Sequence, residues 1–557
     1  DTASPAFSRD GAYLYFAAST NVGPTQVGLN MNTREKPARY GLYALVLAAD
    51  GESPVLPGAG DETGEVDEAD DEGDVTVRVD FDGLFERKVA LPVSEANYSN
   101  LAAGKDGALY YIESVQPGAE YTPPGESAQS RNRLMRFNFE DREASEIAAG
   151  ATSLILAADG EHALINFAEG PWRHGALGES LDLEPLDTSG LRMRIDPRAE
   201  WGHIFDEVWR MERAYFYDAD LQGLDWAGVR ARYEPLLDHV ARREDLNTVL
   251  TEMIGEMQAG HNNVGGVDGY SEPGVSTGLL GADLPVASNR YRIDRIYSGE
   301  SWTPFAAGPL AQPGLDVEAG DFILAVNGRP LTGADNIFVH LQNTAGSQTT
   351  LTVADDARGG GRRDVVVEPV SSEGALRLWG WIEENRRQVA EATEGRVGYV
   401  YLPNTAGAGY DFFNRMYYAQ ADKDAIIFDE RSNSGGQAAD YITDVLSPFH
   451  LSGWRDRDGM AYNTPNQAHY GPKVMLIDQD AGSGGDFLPY SFRRRGVGPL
   501  IGTRTWGGLI GISANPSLID GGRLSVPYFR FYTPEGAWTV ENEGVAPDIE
   551  VRLDPVA

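Results

Sequence analysis

The sequence predicts a multidomain protein that joins an all-β N-terminal part to an α/β C-terminal part. Three observations carry that expectation. Short aromatic-rich segments recur behind Asp-Gly turns through the first 190 residues. Three stretches between residues 201 and 257 space their apolar side chains at helical intervals. Beyond residue 371, short continuous apolar runs alternate with amphipathic ones, the pattern of a buried parallel sheet. At 557 residues, the chain has room for three or four domains of ordinary size.

Residues 1–190 carry a loose repeat. Ser8-Arg9-Asp10-Gly11 leads into Tyr13-Leu14-Tyr15-Phe16, Lys105-Asp106-Gly107 into Leu109-Tyr110-Tyr111-Ile112, and Ala158-Asp159-Gly160 into Ala163-Leu164-Ile165. Each is a tight turn feeding a short apolar strand, as repeated hairpins require. Repetition on this scale predicts blades of a β-propeller, with an ordinary sandwich as the alternative. Three or so blades cannot close a ring, so further blades are expected upstream. The run Asp61 to Asp74 is almost all acidic residues and Gly and reads as a disordered loop.

Residues 191–270 read as a helical cap domain. Ile204, Val208, Met211 and Phe216 fall on one helical face within Trp201–Tyr217, and Trp226–His239 and Asp245–Met257 behave alike. The cap ends at Gln258-Ala259-Gly260-His261. Residues 271–370 look like a PDZ module. Leu279-Leu280-Gly281-Ala282-Asp283-Leu284 fits its carboxylate-binding loop, and Pro313-Gly314-Leu315 with Ala319 to Gly328 fits its hairpin. Such modules bind extended peptides by strand addition, although this one could equally be a spacer. Residues 371–557 read as an α/β core with a mostly parallel sheet. Its strands are Arg396–Leu402, Ala425–Asp429 and Lys473–Asp478, and its helices Tyr410–Ala421 and Phe487–Arg495. Active groups in such a sheet sit at strand ends.

Composition narrows the function. A formal net charge of -38 disfavours a nucleic-acid partner. The absence of cysteine excludes disulfides, thiolate metal sites and a Cys nucleophile. With no His-Glu-x-x-His motif either, no metal or cofactor is expected. No run of eighteen uninterrupted apolar residues predicts a membrane span. The chain starts at Asp1 without Met, so either a leader has been removed or the chain is a fragment. A cytoplasmic location is expected, or a periplasmic or secreted one if there was a leader.

Two motifs carry chemistry. Ala481-Gly482-Ser483-Gly484-Gly485-Asp486 follows a buried strand and precedes a helix. A Ser at that junction stands exposed above the sheet, as a nucleophile must, and the Gly484 amide near the helix N-terminus suits a developing oxyanion. Asp429-Glu430-Arg431-Ser432-Asn433-Ser434-Gly435-Gly436 ends the preceding strand. Gly435 is the second oxyanion candidate, with Asp429, Arg431 and Asn433 bracing the loop.

The Asp-x-Arg-x-Asn-x-Gly-Gly pattern resembles the C-terminal processing peptidase superfamily. Ser483 with Leu500 to Gly508, the segment Leu191–His203 and Val540 to Asp548 are similar to its tricorn branch. The resemblance covers nearly the whole chain. It implies a serine endopeptidase acting on peptides or unfolded polypeptides, and a homo-oligomer for which a hexamer is the size to test. In the processing branch the base is a Lys after the Thr-aromatic segment. Gly508 stands there, and no Lys follows Ser483. The tricorn branch uses a His in the helical cap, which His261 matches, and an imidazole titrates in the range suited to a general base. The branch's relay also implies a Ser before that His and a Glu near the C-terminus. Glu541 matches the Glu, with Glu543 as fallback, whereas Gly260 replaces the Ser. Asp456 and Asp458 lie where the resemblance places an acidic specificity element. The alternative function is a catalytically inactive peptide-binding protein built on the PDZ module and propeller.

Overall fold

The computed structural model describes residues 2–19, 40–55, 77–114, 131–266, 274–300, 307–512 and 515–552. The acidic run at 61–74 lies outside them. The chain forms two compact units, which divide in sequence at Met193 and Arg194.

The first unit contains three four-stranded antiparallel sheets, each joined in simple sequential order. Their strands are Thr2–Phe7, Tyr13–Ala18, Gly41–Val46 and Lys88–Ala90; Asn97–Ala103, Leu109–Ser114, Arg133–Asn138 and Glu143–Ala149; and Ala151–Leu156, His162–Phe167, Arg173–Ala176 and Asp182–Pro185. The Asp-Gly turn joins the first strand to the second in all three. Gly11, Gly107 and Gly160 take φ of 72°, 75° and 73°, where a side chain would be strained. Asp10, Asp106 and Asp159 each use Oδ1 to accept the amide two residues on, at 3.0, 3.2 and 2.9 Å. That local bond is why Asp precedes Gly. Tyr15, Leu42, Leu109 and Phe137 pack between the first and second sheets, and Tyr110, Ile112, Leu154 and Ile165 between the second and third. The stacked sheets are the blades of a partial propeller.

The second unit opens with three helices: α1 (Pro197–Tyr215), α2 (Trp226–Tyr233) and α3 (Arg243–Gly255). Asp196 caps α1 by accepting the amides of Arg198 and Ala199, and Pro197 follows at the first position, where its missing N–H costs nothing. Ile204, Phe205, Val208, Leu246, Leu250 and Met253 fill the cap's core, but Leu518, Leu524 and Val526 complete it. The strand Asn263–Gly265 pairs antiparallel with Arg523–Ser525. A buried ion pair at 2.5 Å joins Arg243 to Asp520 nearby. The cap is thus tied to a late segment of the chain at the point where it delivers His261.

A PDZ domain follows, with its own core of Leu280, Ile293, Ile323, Leu351 and Val353. Phe322–Val326, Thr349–Ala354 and Arg363–Val367 pair antiparallel in its larger sheet, beside the short helix α4 (Ile337–His340). A nineteen-residue helix, α5 (Gly374–Ala392), leads from it to the core. Val397–Tyr401, Ala425–Asp429, Lys473–Ile477, Leu500–Gly502 and Ile549–Glu550 form a five-stranded sheet in that order, parallel throughout. Helices α6 (Gly407–Tyr418), α7 (Ala439–Leu446) and α8 (Gly484–Arg494) belong to this core. Phe413, Phe428, Ile442, Met475, Leu488 and Phe492 pack within it. Parallel pairing brings the C-terminal ends of the middle strands to one edge, where the loops 430–436, 478–483 and 503–510 meet.

Candidate active site

Ser483 sits immediately before α8, with φ 60° and ψ -116°. Such a conformation costs a non-glycine residue about 1–3 kcal/mol and persists only where the surroundings fix it. Asp486, fully buried, supplies the fixing. Its Oδ2 accepts the amides of Ser483 and Gly508, both at 3.0 Å. Its Oδ1 accepts the Gly507 amide at 2.8 Å and the Thr505 hydroxyl at 2.5 Å. Burial pushes the Asp486 carboxyl above its ordinary range, and those four donors pull it part of the way back.

The loop after Asp429 lies directly against this turn. A β-carbon on Gly435 would stand 2.6 Å from that of Ser483, and one on Gly485 would stand 2.7 Å from the Asn433 carbonyl. Asp429 accepts from the Tyr399 hydroxyl at 2.7 Å and from Arg431 Nε and Nη2 at 2.8 and 2.6 Å. The Asn433 carbonyl accepts the Gly482 amide at 3.0 Å. Beside Asn433, burial and then the nearby carboxylates Asp486, Asp478 and Asp429 raise the Glu430 carboxyl well above its usual range.

The amides nearest Ser483 differ from the sequence expectation in one respect. Gly484 is the first residue of α8, so its N–H has no intrahelical partner. The Gly435 amide is already committed to Asn433 Oδ1 at 2.9 Å. Gly436 instead lines the cavity in front of Ser483, and among the described residues its amide meets no acceptor. The two consecutive glycines divide the work: one amide locks the loop and the other is left uncommitted at the cavity.

That cavity, about 420 Å³, is lined by Ser483, Gly484, Gly436, His261, Phe487 and Phe531 among others. His261, just beyond the helices of the cap, therefore reaches the same space as Ser483 from a distant part of the chain. No hydrogen bond joins the two side chains among the described residues; catalytic contacts are often long before substrate arrives. The His261 ring meets Trp506 edge-on, with centroids 5.5 Å apart. Burial lowers its pKa below the ordinary imidazole value, while Glu541 and Asp486 oppose the shift. The Ile510 backbone pulls the same way as those carboxylates without completing a hydrogen bond to Nδ1, which is buried and unpartnered.

Glu541 takes a different part from the one its motif implies. Its Oε1 accepts the Gly260 amide at 2.8 Å, and its Oε2 accepts the amides of Leu509 and Ile510 at 2.6 and 2.8 Å. It holds the backbone beside His261 rather than the imidazole. Val540 and Asn542 on either side take φ of 75° and 61°, a strained arrangement for a β-branched residue. Asn542 reinforces the junction through the Gln258 carbonyl at 2.9 Å. A β-carbon on Gly260 would lie 3.1 Å from Trp506, 3.2 Å from Gly508 and 3.3 Å from Glu541. Glu543 accepts from the Thr539 hydroxyl at 3.2 Å. Asp456 and Asp458 lie in the turn of an exposed hairpin, Ser452–Arg455 with Ala461–Thr464, outside the cavity. Besides His261, the acidic and basic side chains that line it are Asp440 and Arg530.

Sequence reasoning passed over one more group. Asn262, next to His261, turns its amide so that Nδ2 donates to Glu212 Oε1 at 2.8 Å and to the Ser525 carbonyl at 3.1 Å. Burial drives the Glu212 carboxyl up to about 8. The signal was a Glu at a core-facing position of α1, legible only by counting the helical face. Among the described residues, no three His, Asp or Glu side chains gather as a metal site. No described helix is long and apolar enough to cross a membrane.

Family models match three segments: the tricorn protease C1 domain at 197–255, the tricorn protease PDZ domain at 278–372 and peptidase family S41 at 396–551. Tricorn protease homolog 1 of Streptomyces coelicolor is 34% identical over 579 residues, covering 99% of this chain and 53% of that protein. Tricorn protease of Thermoplasma acidophilum is 26% identical, covering 99% of this chain and 50% of that one. A crystal structure of tricorn protease superposes with a TM-score of 0.82 at 23% identity, over 99% of this chain and 52% of that one. The chain spans about half the length of the relatives it matches.

Proposed function

We propose that the chain, similar over nearly its whole length to tricorn proteases, is a serine endopeptidase acting on peptides or unfolded polypeptides through an acyl-enzyme. The observation that carries this reading is the meeting of Ser483 and His261 at one cavity. A separate carboxylate, buried Asp486 for Ser483 and part-buried Glu541 for His261, fastens the backbone beside each of them. Ser483 Oγ attacks the scissile carbonyl carbon as its proton passes to His261. The amides of Gly484 and Gly436 receive the oxyanion. His261 then gives the proton to the leaving amine, and water repeats the cycle on the ester. Glu541 acts as a positioning residue, since its oxygens are engaged by three backbone amides.

A fluorophosphonate probe tests the reading, because only an activated Ser reacts. It should label the wild-type chain at Ser483 and leave Ser483→Ala unlabelled. An unlabelled wild type with no peptide hydrolysis would favour the inactive binding protein. The proposal extends to a homo-oligomer in the cytoplasm, as large as a hexamer. Native mass measurement and cell fractionation check those parts.

A further inference from the structure

The loop Leu279–Leu284, read from the sequence as a carboxylate-binding loop, already holds a carboxylate. Glu373, the residue before α5, accepts the Gly281 amide through Oε1 at 2.7 Å. Arg377, one turn on, holds Glu373 Oε2 through Nε at 2.8 Å. The same guanidinium donates to Asp283 Oδ1 at 2.8 Å and to the Ala282 carbonyl at 3.2 Å. It stacks on Tyr297 at 4.7 Å. Between the two lies Leu376, 2% exposed, 3.2 Å from where a β-carbon on Gly281 would stand. Among the described residues, the strand Ala282–Asp283 pairs on one side only, with Arg295–Ile296.

One helical turn thus presents a carboxylate to a loop amide, an apolar side chain to the glycine beside it, and a donor to the next carbonyl of an open strand. Those are the contacts a peptide's C-terminal residue makes when it adds to a strand edge. We propose that the first turn of α5 is a ligand in cis, closing the PDZ loop with Glu373. The ligand that displaces it is a peptide with a free C-terminal carboxylate on an apolar residue. Because the two compete for one amide, affinity in the resting chain is reduced by the fraction of loops that are open. The inference rests on the PDZ geometry and is independent of whether Ser483 hydrolyses anything.

The experiment uses the full chain carrying Ser483→Ala, so that the probe is not cleaved. The probe is a fluorescein-labelled Ala-Ala-Val-Ala-Leu with a free carboxylate, followed by anisotropy beside the same peptide as a C-terminal amide. Adding Glu373→Gln or Glu373→Ala should tighten binding of the acid about tenfold, the worth of a charge-assisted hydrogen bond. Adding Arg377→Gln, which leaves Glu373 in place, should tighten it less. The amide should bind weakly throughout. Glu373→Gln is nearly isosteric, and its thermal unfolding confirms a folded chain should the Ala variant lose stability. The proposal is overturned if Glu373→Gln binds the acid no more tightly than its parent. It is equally overturned if acid and amide tighten together.

Discussion

Ser483 and His261 are held by the same device in two very different settings. On the Ser483 side, the carboxylate of Asp486 gathers amides at Ser483, Gly507 and Gly508. On the His261 side, the carboxylate of Glu541 gathers amides at Gly260, Leu509 and Ile510. The segment 505–510 is therefore a shared spine with one carboxylate on each flank. Asp486 is wholly buried and local, three residues from the Ser it serves. Glu541 is only part-buried and spans 281 residues to reach the cap. The Ser half is built into the sheet, while the His half exists only when two distant segments dock.

The largest effect expected is on the chemistry itself. Ser483→Ala should lower peptide hydrolysis by about 10⁶-fold. His261→Ala should lower it nearly as far, with the double variant little worse because the two act as a unit. Steady-state rates on one peptide check this, and a near wild-type rate in either single variant contradicts the site.

The next test separates the flanks. Asp486→Asn places an NH₂ among buried donors, so it should cost about 1–3 kcal/mol in unfolding free energy as well as activity. Glu541→Gln should lower activity by roughly tenfold with a smaller loss of stability, because a positioning acid is less critical than the base. Equal losses in both would mean the flanks are equivalent.

The pH profile sharpens the comparison further. His261 titrates below the ordinary imidazole range, so the rate should hold at pH values where a free imidazole is already protonated. Either Glu541→Gln or Asp486→Asn removes a charge that favours the imidazolium, and the acidic limb should then move to still lower pH. An unmoved limb would exclude His261 as the titrating base.

Smaller effects are expected at Gly260 and Glu212. Gly260→Ser inserts a β-carbon into contacts of 3.1–3.3 Å with Trp506, Gly508 and Glu541, and should lower activity several-fold. A rise would mean that Glu541 works through the added hydroxyl. Glu212 has a folded-state pKa of about 8, well above that of an unfolded Glu, so its neutral form is favoured in the folded chain. Stability should fall as pH rises from about 4.5 to 8. Glu212→Gln should flatten that slope in thermal unfolding, and an unchanged slope would place the titration elsewhere.

Much of this was legible in the chain itself. The strand Ala425–Asp429 and the turns at Asp10-Gly11, Asp106-Gly107 and Asp159-Gly160 are local, set by β-branched runs and by a side chain bonding its own backbone. Ser483 is found by a glycine-rich turn between a strand and a helix. What escaped is what depends on distant geometry. Gly435 and Gly436 are indistinguishable in sequence, and only the bond to Asn433 Oδ1 decides which amide is open. Glu541 could be placed near His261 by its motif, but not on the Gly260 amide. Helix α5 was missed because Glu and Arg crowd its length, and its only fully buried side chains are Leu376 and Ile382.

The cap's core has a consequence for how the protein is made. Its helices leave the ribosome early, yet Leu518, Leu524 and Val526, which finish their packing, and Ser525, which pairs with Asn263, are synthesised about 260 residues later. Until that stretch emerges, the cap that carries His261 lacks part of its core and Asn263–Gly265 lacks its partner strand. On the proposed reading, order of synthesis then acts as a safety catch: a partly made chain that already carries Ser483 should cut neither itself nor its neighbours until its last segment docks.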